Sequence, residues 1–216
     1  MGTRAAAGGG RWVDVEPRRV ARWVEGFAGR HGAPRAAPHE YGLLLAAPDG
    51  ATAELHTPPG ARVAGDLDGF VAAAVEPRRI GLLLARKGAV AVGIAVGEEL
   101  TVSKVDTRYV QGRTAAGGWS QQRFARRRDN QAKAATGDAV DLAVRLLLPA
   151  AGTLAALVCG GDRRAVDAVL ADRRLAPLAA LRSERLLDVP EPRHAVLVAA
   201  VAAARAVHVL VRDSED

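Results

Sequence analysis

Two glycines and two glutamines stand close together at residues 117–122, in the order Gly117, Gly118, Trp119, Ser120, Gln121, Gln122. A glutamine amide does not titrate, so it is no conventional general base. It can orient a water through its carbonyl oxygen and donate hydrogen bonds through its NH2 group. A glycine-rich turn beside it can enter a narrow site that side chains would block. It also turns backbone N–H groups toward an anion. The flanking residues are basic. From Arg108 to Lys133 the chain carries Arg108, Arg113, Arg123, Arg126, Arg127, Arg128 and Lys133 against one acid, Asp129. That excess equals the +6 net charge of the whole chain, so the remaining residues balance to zero. Positive charge concentrated in this way is the footprint of a phosphate-rich partner.

The rest of the sequence excludes more than it offers. A hydrophobic content of 49% suffices for a core, and with only 4% aromatic residues that core must be aliphatic. Arginine outnumbers lysine 27 to 3, which reads as coding bias, so the clustering of arginines carries more weight than their number. The single cysteine, Cys159, excludes an internal disulfide and a CxxC metal motif. It lies in the apolar run LAALVCGG and reads as a buried strand residue rather than a nucleophile. His31, His39, His56, His194 and His208 show neither HxH nor HExxH spacing, so no metal is expected. Asp138 and Asp141, at i and i+3, read either as a metal pair or as a solvated helix face. No phosphate-binding GxxxxGKS/T loop and no GxGxxG is present. The N-terminal MGTRAAAGGG has no apolar signal segment, and residues 195–211 are too short and too charged to span a bilayer. The chain therefore reads as cytoplasmic, without a membrane partner.

These residues need elements to hold them. Residues 1–10 are low in complexity and read as a disordered tail, followed by a single domain over 11–216. A helix is expected over 15–30, with Val20, Trp23, Val24 and Phe27 on one face, and a Pro/Gly loop over 31–39. Two strands flank the turn Asp49-Gly50, and a short helix is expected near 66–76. Residues 79–110 form a three-stranded meander with turns at Lys87-Gly88 and Gly97-Glu98. A long helix from Ser120 to about Leu148 stops at Pro149. Then come strand 154–159, helix 162–171, strand 185–188, helix 191–204 and strand 206–212. This order makes an α/β domain, a mixed β-sheet with flanking helices, compatible with an RNase H-like arrangement.

The segment GGWSQQRFARRR, with Gly112-Arg113 upstream, resembles the catalytic loop of eukaryotic and archaeal class-I peptide-chain release factors, which reads roughly GRGGQSALRFARLR. Aligned on RFAR, the glycine pairs coincide and Ser120 falls on the motif serine. Trp119 occupies the motif's glutamine position, and glutamines follow two and three residues later. That displacement resembles the divergent VLRF family of release-factor-like hydrolases, which act in ribosome quality control. The resemblance implies the RNase H-like fold of the release-factor central domain. It also implies a monomeric peptidyl-tRNA hydrolase acting on stalled ribosomes or large subunits, at the peptidyl transferase centre, with no cofactor. Gln121 is then the first candidate for the catalytic amide and Gln122 the second, with Gly117 and Gly118 shaping the loop. Arg113, Trp119, Ser120, Arg123, Arg126, Arg127 and Arg128 are its candidate RNA contacts, and Trp119 either stacks on a base or packs on the sheet. Two other readings use the same residues: an endonuclease that cuts the tRNA 3′ end, and a ribosome- or RNA-binding module without catalysis.

Overall fold

A computed structural model describes residues 3–86, 88–107 and 120–214, with the backbone alone over 120–132. In chain order the strands are β1 (Thr3–Ala5), β2 (Arg11–Val15), β3 (Arg35–His39), β4 (Gly42–Ala46), β5 (Thr52–His56), β6 (Arg79–Arg86), β7 (Ala89–Val96), β8 (Glu99–Thr107), β9 (Ala156–Gly161), β10 (Arg182–Leu187) and β11 (Val207–Arg212). The helices are α1 (Val20–His31), α2 (Leu67–Val75), α3 (Ser120–Leu146), α4 (Arg163–Leu170), α5 (Ala176–Ala179) and α6 (His194–Arg205). The chain is thus mixed α/β, with helices flanking two sheets. It gathers into two compact units, first Met1–Pro77 with Ala202–Asp216 and second Arg78–Val201, whereas the sequence reading treats 11–216 as one domain.

The first unit is built on the antiparallel order β1-β2-β11-β5-β4-β3. Alternation puts Val13 and Val15, Val207, Val209 and Val211, Ala53 and Leu55, and Leu43 and Leu45 into one buried cluster. Val20, Val24 and Phe27 of α1 and Phe70 and Ala74 of α2 close it. The α1 residues recur at helical spacing, which is why that helix was legible. Helix α2 starts where the Asp66 carboxylate accepts from the Gly69 N–H at 2.7 Å, an N-cap. A second set of side chains carries rings: Tyr41 stacks on His56 at 4.8 Å, and Trp12 meets His56 edge-on at 4.9 Å.

The second unit has the order β10-β9-β6-β7-β8. The pairs β6–β7 and β7–β8 are antiparallel, and β6–β9 and β9–β10 are parallel. This is the expected mixed sheet. Buried residues of α3 (Ala139, Val140, Leu142, Ala143), α4 (Val166, Val169) and α5 (Leu178) pack with Leu83, Val90, Val92 and Leu157 of the strands.

Several local expectations are corrected. Thr3–Ala5, within the stretch expected to be disordered, pairs antiparallel with β2. Arg35–His39, expected as loop, is an edge strand, and edges are where a strand proline such as Pro38 is tolerated. The last strand, β11, joins the antiparallel sheet between β2 and β5 instead of continuing the mixed one. The apolar stretch 195–211 is half helix and half strand, and among the described residues no helix is long and apolar enough to cross a membrane.

Candidate functional site

Arg113, Gly117, Gly118 and Trp119 lie outside the described residues. Ser120 is the first residue of α3, so Gln121 and Gln122 fall in its first turn. Arg123, Arg126, Arg127 and Arg128 follow on the next turns. Helical spacing puts positions 123, 126 and 127 on one face and turns 122 about 100° from 121. The side chains of 120–132 lie outside what is described.

The frame that carries this helix is described. Helix α3 is exposed at Lys133 and Ala134 and becomes buried from Ala139 onward. At a rise of about 1.5 Å per residue, Ser120 stands about 28 Å along the axis from Ala139. The buried half is fixed by packing against β6, β7 and β9. An ion pair adds to it: Arg174 Nη1 donates to Asp141 Oδ1 at 3.0 Å. Arg174 also donates twice to Asp172, at 3.0 and 3.1 Å, and its guanidinium holds the Asp172 carboxyl below the usual carboxylate range. Asp141 is thereby engaged in a salt link at the exposed face of the helix. Among the described residues no three His, Cys, Asp or Glu side chains are grouped to hold a metal.

The approach to the loop is equally defined. Edge strand β8 ends at Thr107, which pairs with Ala89 at the start of β7. Strand β8 therefore finishes at the end of the sheet where β6 gives way to β7. Cys159 sits in β9, fully buried, and burial pushes its thiol up to about 12, so it supplies no nucleophile at neutral pH.

The sequence reading missed a second group of basic residues at the same end of this sheet. Arg86, Arg163 and Arg164 line a cleft of about 580 Å³ with Asp162, and Ala135, Thr136 and Ala139 of α3 form part of its wall. The signal was available in Gly160-Gly161-Asp162-Arg163-Arg164, a glycine pair and two arginines directly after an apolar strand.

A family model described as the Actinobacteria/Chloroflexi VLRF1 release factor matches residues 78–210. No curated protein sequence matches the chain. Among solved structures, the crystal structure of an archaeal translation termination factor, aRF1, matches with 18% identity and a TM-score of 0.39, covering 76% of this chain and 49% of that one. The chain thus spans about half the length of that solved factor.

Proposed function

From the premise that the chain belongs to the Actinobacteria/Chloroflexi VLRF1 release factor family, we propose that it is a peptidyl-tRNA hydrolase that frees nascent peptide from stalled ribosomes or large subunits. Water attacks the ester carbonyl carbon, the bond to the 3′ oxygen of the terminal adenosine breaks, and peptide acid and intact tRNA leave. Gln121 orients the water, with Gln122 as the alternative amide, and Gly117 and Gly118 present backbone donors to the oxyanion. The partner is the peptidyl transferase centre, where RNA supplies most of the positioning, worth up to several kcal/mol. Arg113, Trp119, Ser120 and the arginines from 123 to 128 hold RNA. No cofactor takes part, and the protein acts as a cytoplasmic monomer. We read the order β10-β9-β6-β7-β8 as the RNase H-like arrangement of the release-factor central domain.

The observation that carries the reading is the start of α3 at Ser120. Both glutamines then fall in the first turn of a helix whose other end packs on the sheet, three and four residues after Gly118. A helical arm that begins with an amide pair followed by arginines suits an RNA-walled ester site. The experiment is incubation with purified large subunits carrying peptidyl-tRNA, resolving peptidyl-tRNA, intact tRNA and shortened tRNA on one gel. Intact tRNA appearing as peptidyl-tRNA disappears supports ester hydrolysis. Shortened tRNA replaces it with the endonuclease, and binding without turnover replaces it with the non-catalytic module.

A further inference from the structure

Strands β6 and β9 run parallel and in register from Ile80 beside Ala156 to Ala85 beside Gly161, so their C-terminal ends lie side by side. Their outgoing connections part there. Strand β6 turns back into β7 on one side, and β9 runs through α4 to β10 on the other. In open α/β sheets such a divergence opens a crevice beyond the strand ends, and ligands bind in it. The cleft rimmed by Arg86, Asp162, Arg163 and Arg164 occupies this position.

The charges on its rim run against the local rules of helix stability. Helix α4 has Arg163 and Arg164 in its first turn and no acid there, although the helix dipole favours negative charge at this end. Asp162, at the N-cap position, makes no capping bond. Its carboxylate lies instead 3.6 Å from Arg86 Nε, and Arg86 Nη1 donates to the Val189 carbonyl at 2.8 Å. Among the described residues no carboxylate comes within ion-pair distance of Arg163 or Arg164, and both are exposed. Departures from local rules without a compensating contact concentrate at functional sites. An anion in the cleft would supply a counter-charge for two guanidinium groups, which grip phosphate bidentately.

We propose that this cleft binds the phosphate backbone of RNA, as a second RNA contact distinct from the basic face of α3. The proposal rests on the reading of the ribosome as partner. Among the described residues the cleft wall is mostly alanine, with no aromatic ring to serve as a stacking platform for a base. Its polar rim is dominated by charge, which suits backbone rather than base recognition. It also opens at the end of the sheet where β8 finishes, since Thr107 pairs with Ala89 and Ala89 lines the cleft.

The test is fluorescence anisotropy of a labelled RNA hairpin across a potassium chloride series, with the wild type, R163A/R164A and R123A/R126A/R127A. Loss of two phosphate contacts should make the log–log salt slope of R163A/R164A shallower by about 1.4–1.8, in addition to the effect of the α3 substitutions. Its thermal midpoint should stay level or rise, because two cations leave the positive end of a helix dipole. An unchanged slope, or a midpoint lowered by several degrees, overturns the proposal, the latter because the arginines would then be holding the fold. Competition with inorganic phosphate and AMP separates the sources of the anion. Equal, weak displacement by both fits a backbone site, and displacement by AMP about a hundredfold better would replace it with a mononucleotide site. A protein that shows the slope change yet releases no peptide from large subunits leaves the cleft standing and sinks only the hydrolase reading.

Discussion

Gly161 stands where β9 hands over to α4, at a φ of +92°, and a Cβ there would lie 2.4 Å from the Ala85 carbonyl oxygen. The same carbonyl accepts the Asp162 N–H at 2.9 Å, so the chain has no freedom to back away. Gly161→Ala should therefore destabilise the protein by about 1–3 kcal/mol, the range for a residue forced into a sparsely populated backbone region. Urea unfolding measures this, and a variant within experimental error of wild type would contradict the close approach. The two glutamines make a different prediction, because it concerns rate. If Gln121 orients the water, Gln121→Ala should lose about 10²–10³ in peptide release, the scale for one polar group at a developing oxyanion, with ribosome binding retained. Gln122→Ala should be milder, since one helical step turns it away from its neighbour. Single-turnover release from large subunits ranks them. A reversed ranking moves the role to Gln122, and full activity in both sinks the glutamine mechanism. At this scale the candidate loop was legible because residue types alone, glycines, amides and arginines, carry its chemistry. The cleft was not, because Arg86 joins the adjacent Arg163 and Arg164 only through the parallel pairing of β6 with β9.

Helix α3 is two elements in one. From Ala139 to Leu146 its buried face is apolar and packed on the sheet, and from Ser120 to Lys133 its sequence is dominated by arginine and amides. The division predicts separable defects. Neutralising Arg123, Arg126 and Arg127 together should leave the far-ultraviolet circular dichroism and thermal midpoint near wild type, since the described packing from Ala139 onward stays untouched. The same variant should flatten the salt dependence of ribosome binding by about 2–3 units of slope if each arginine neutralises one phosphate. A slope equal to that of wild type removes this face from the RNA account. Which elements could be read from the sequence follows the same physics. Strands β6, β7 and β8 are joined by tight turns, their pairing is local, and their apolar runs name them. Strand β3, RAAPH, has no β-branched residue and an internal proline, and β1 is three exposed residues, so each is a strand only because a neighbour's edge was free. Strand β10, RSERLL, begins three residues earlier than its apolar end suggests, because its pairing with β9 extends back to Arg182.

Over the whole molecule, the family match spans residues 78–210, while one compact unit is closed by a strand from the end of the chain. Strand β11 sits third in a six-stranded sheet, with Val209 paired to Val13 on one side and to Leu55 on the other. No sequence periodicity could announce this, since the run 207–212 reads equally well as the last strand of the mixed sheet. The β2 partner lies nearly the full chain length away, and only the three-dimensional structure decides between the alternatives. Removing β11 takes away Val207, Val209 and Val211, each 0–1% exposed. At roughly 1.5–3 kcal/mol for each buried valine, the loss is about 5–9 kcal/mol before any ladder hydrogen bond is counted. That is comparable with the roughly 5–15 kcal/mol that stabilises a typical domain. It also leaves β2 and β5 with unpaired inner edges over an opened core. Truncation after Ala206 should therefore abolish hydrogen-exchange protection at the amides of β2 and β5, where the full chain keeps it. Retained protection at both strands would mean that the sheet closes without β11, and the assignment of its pairing would fall.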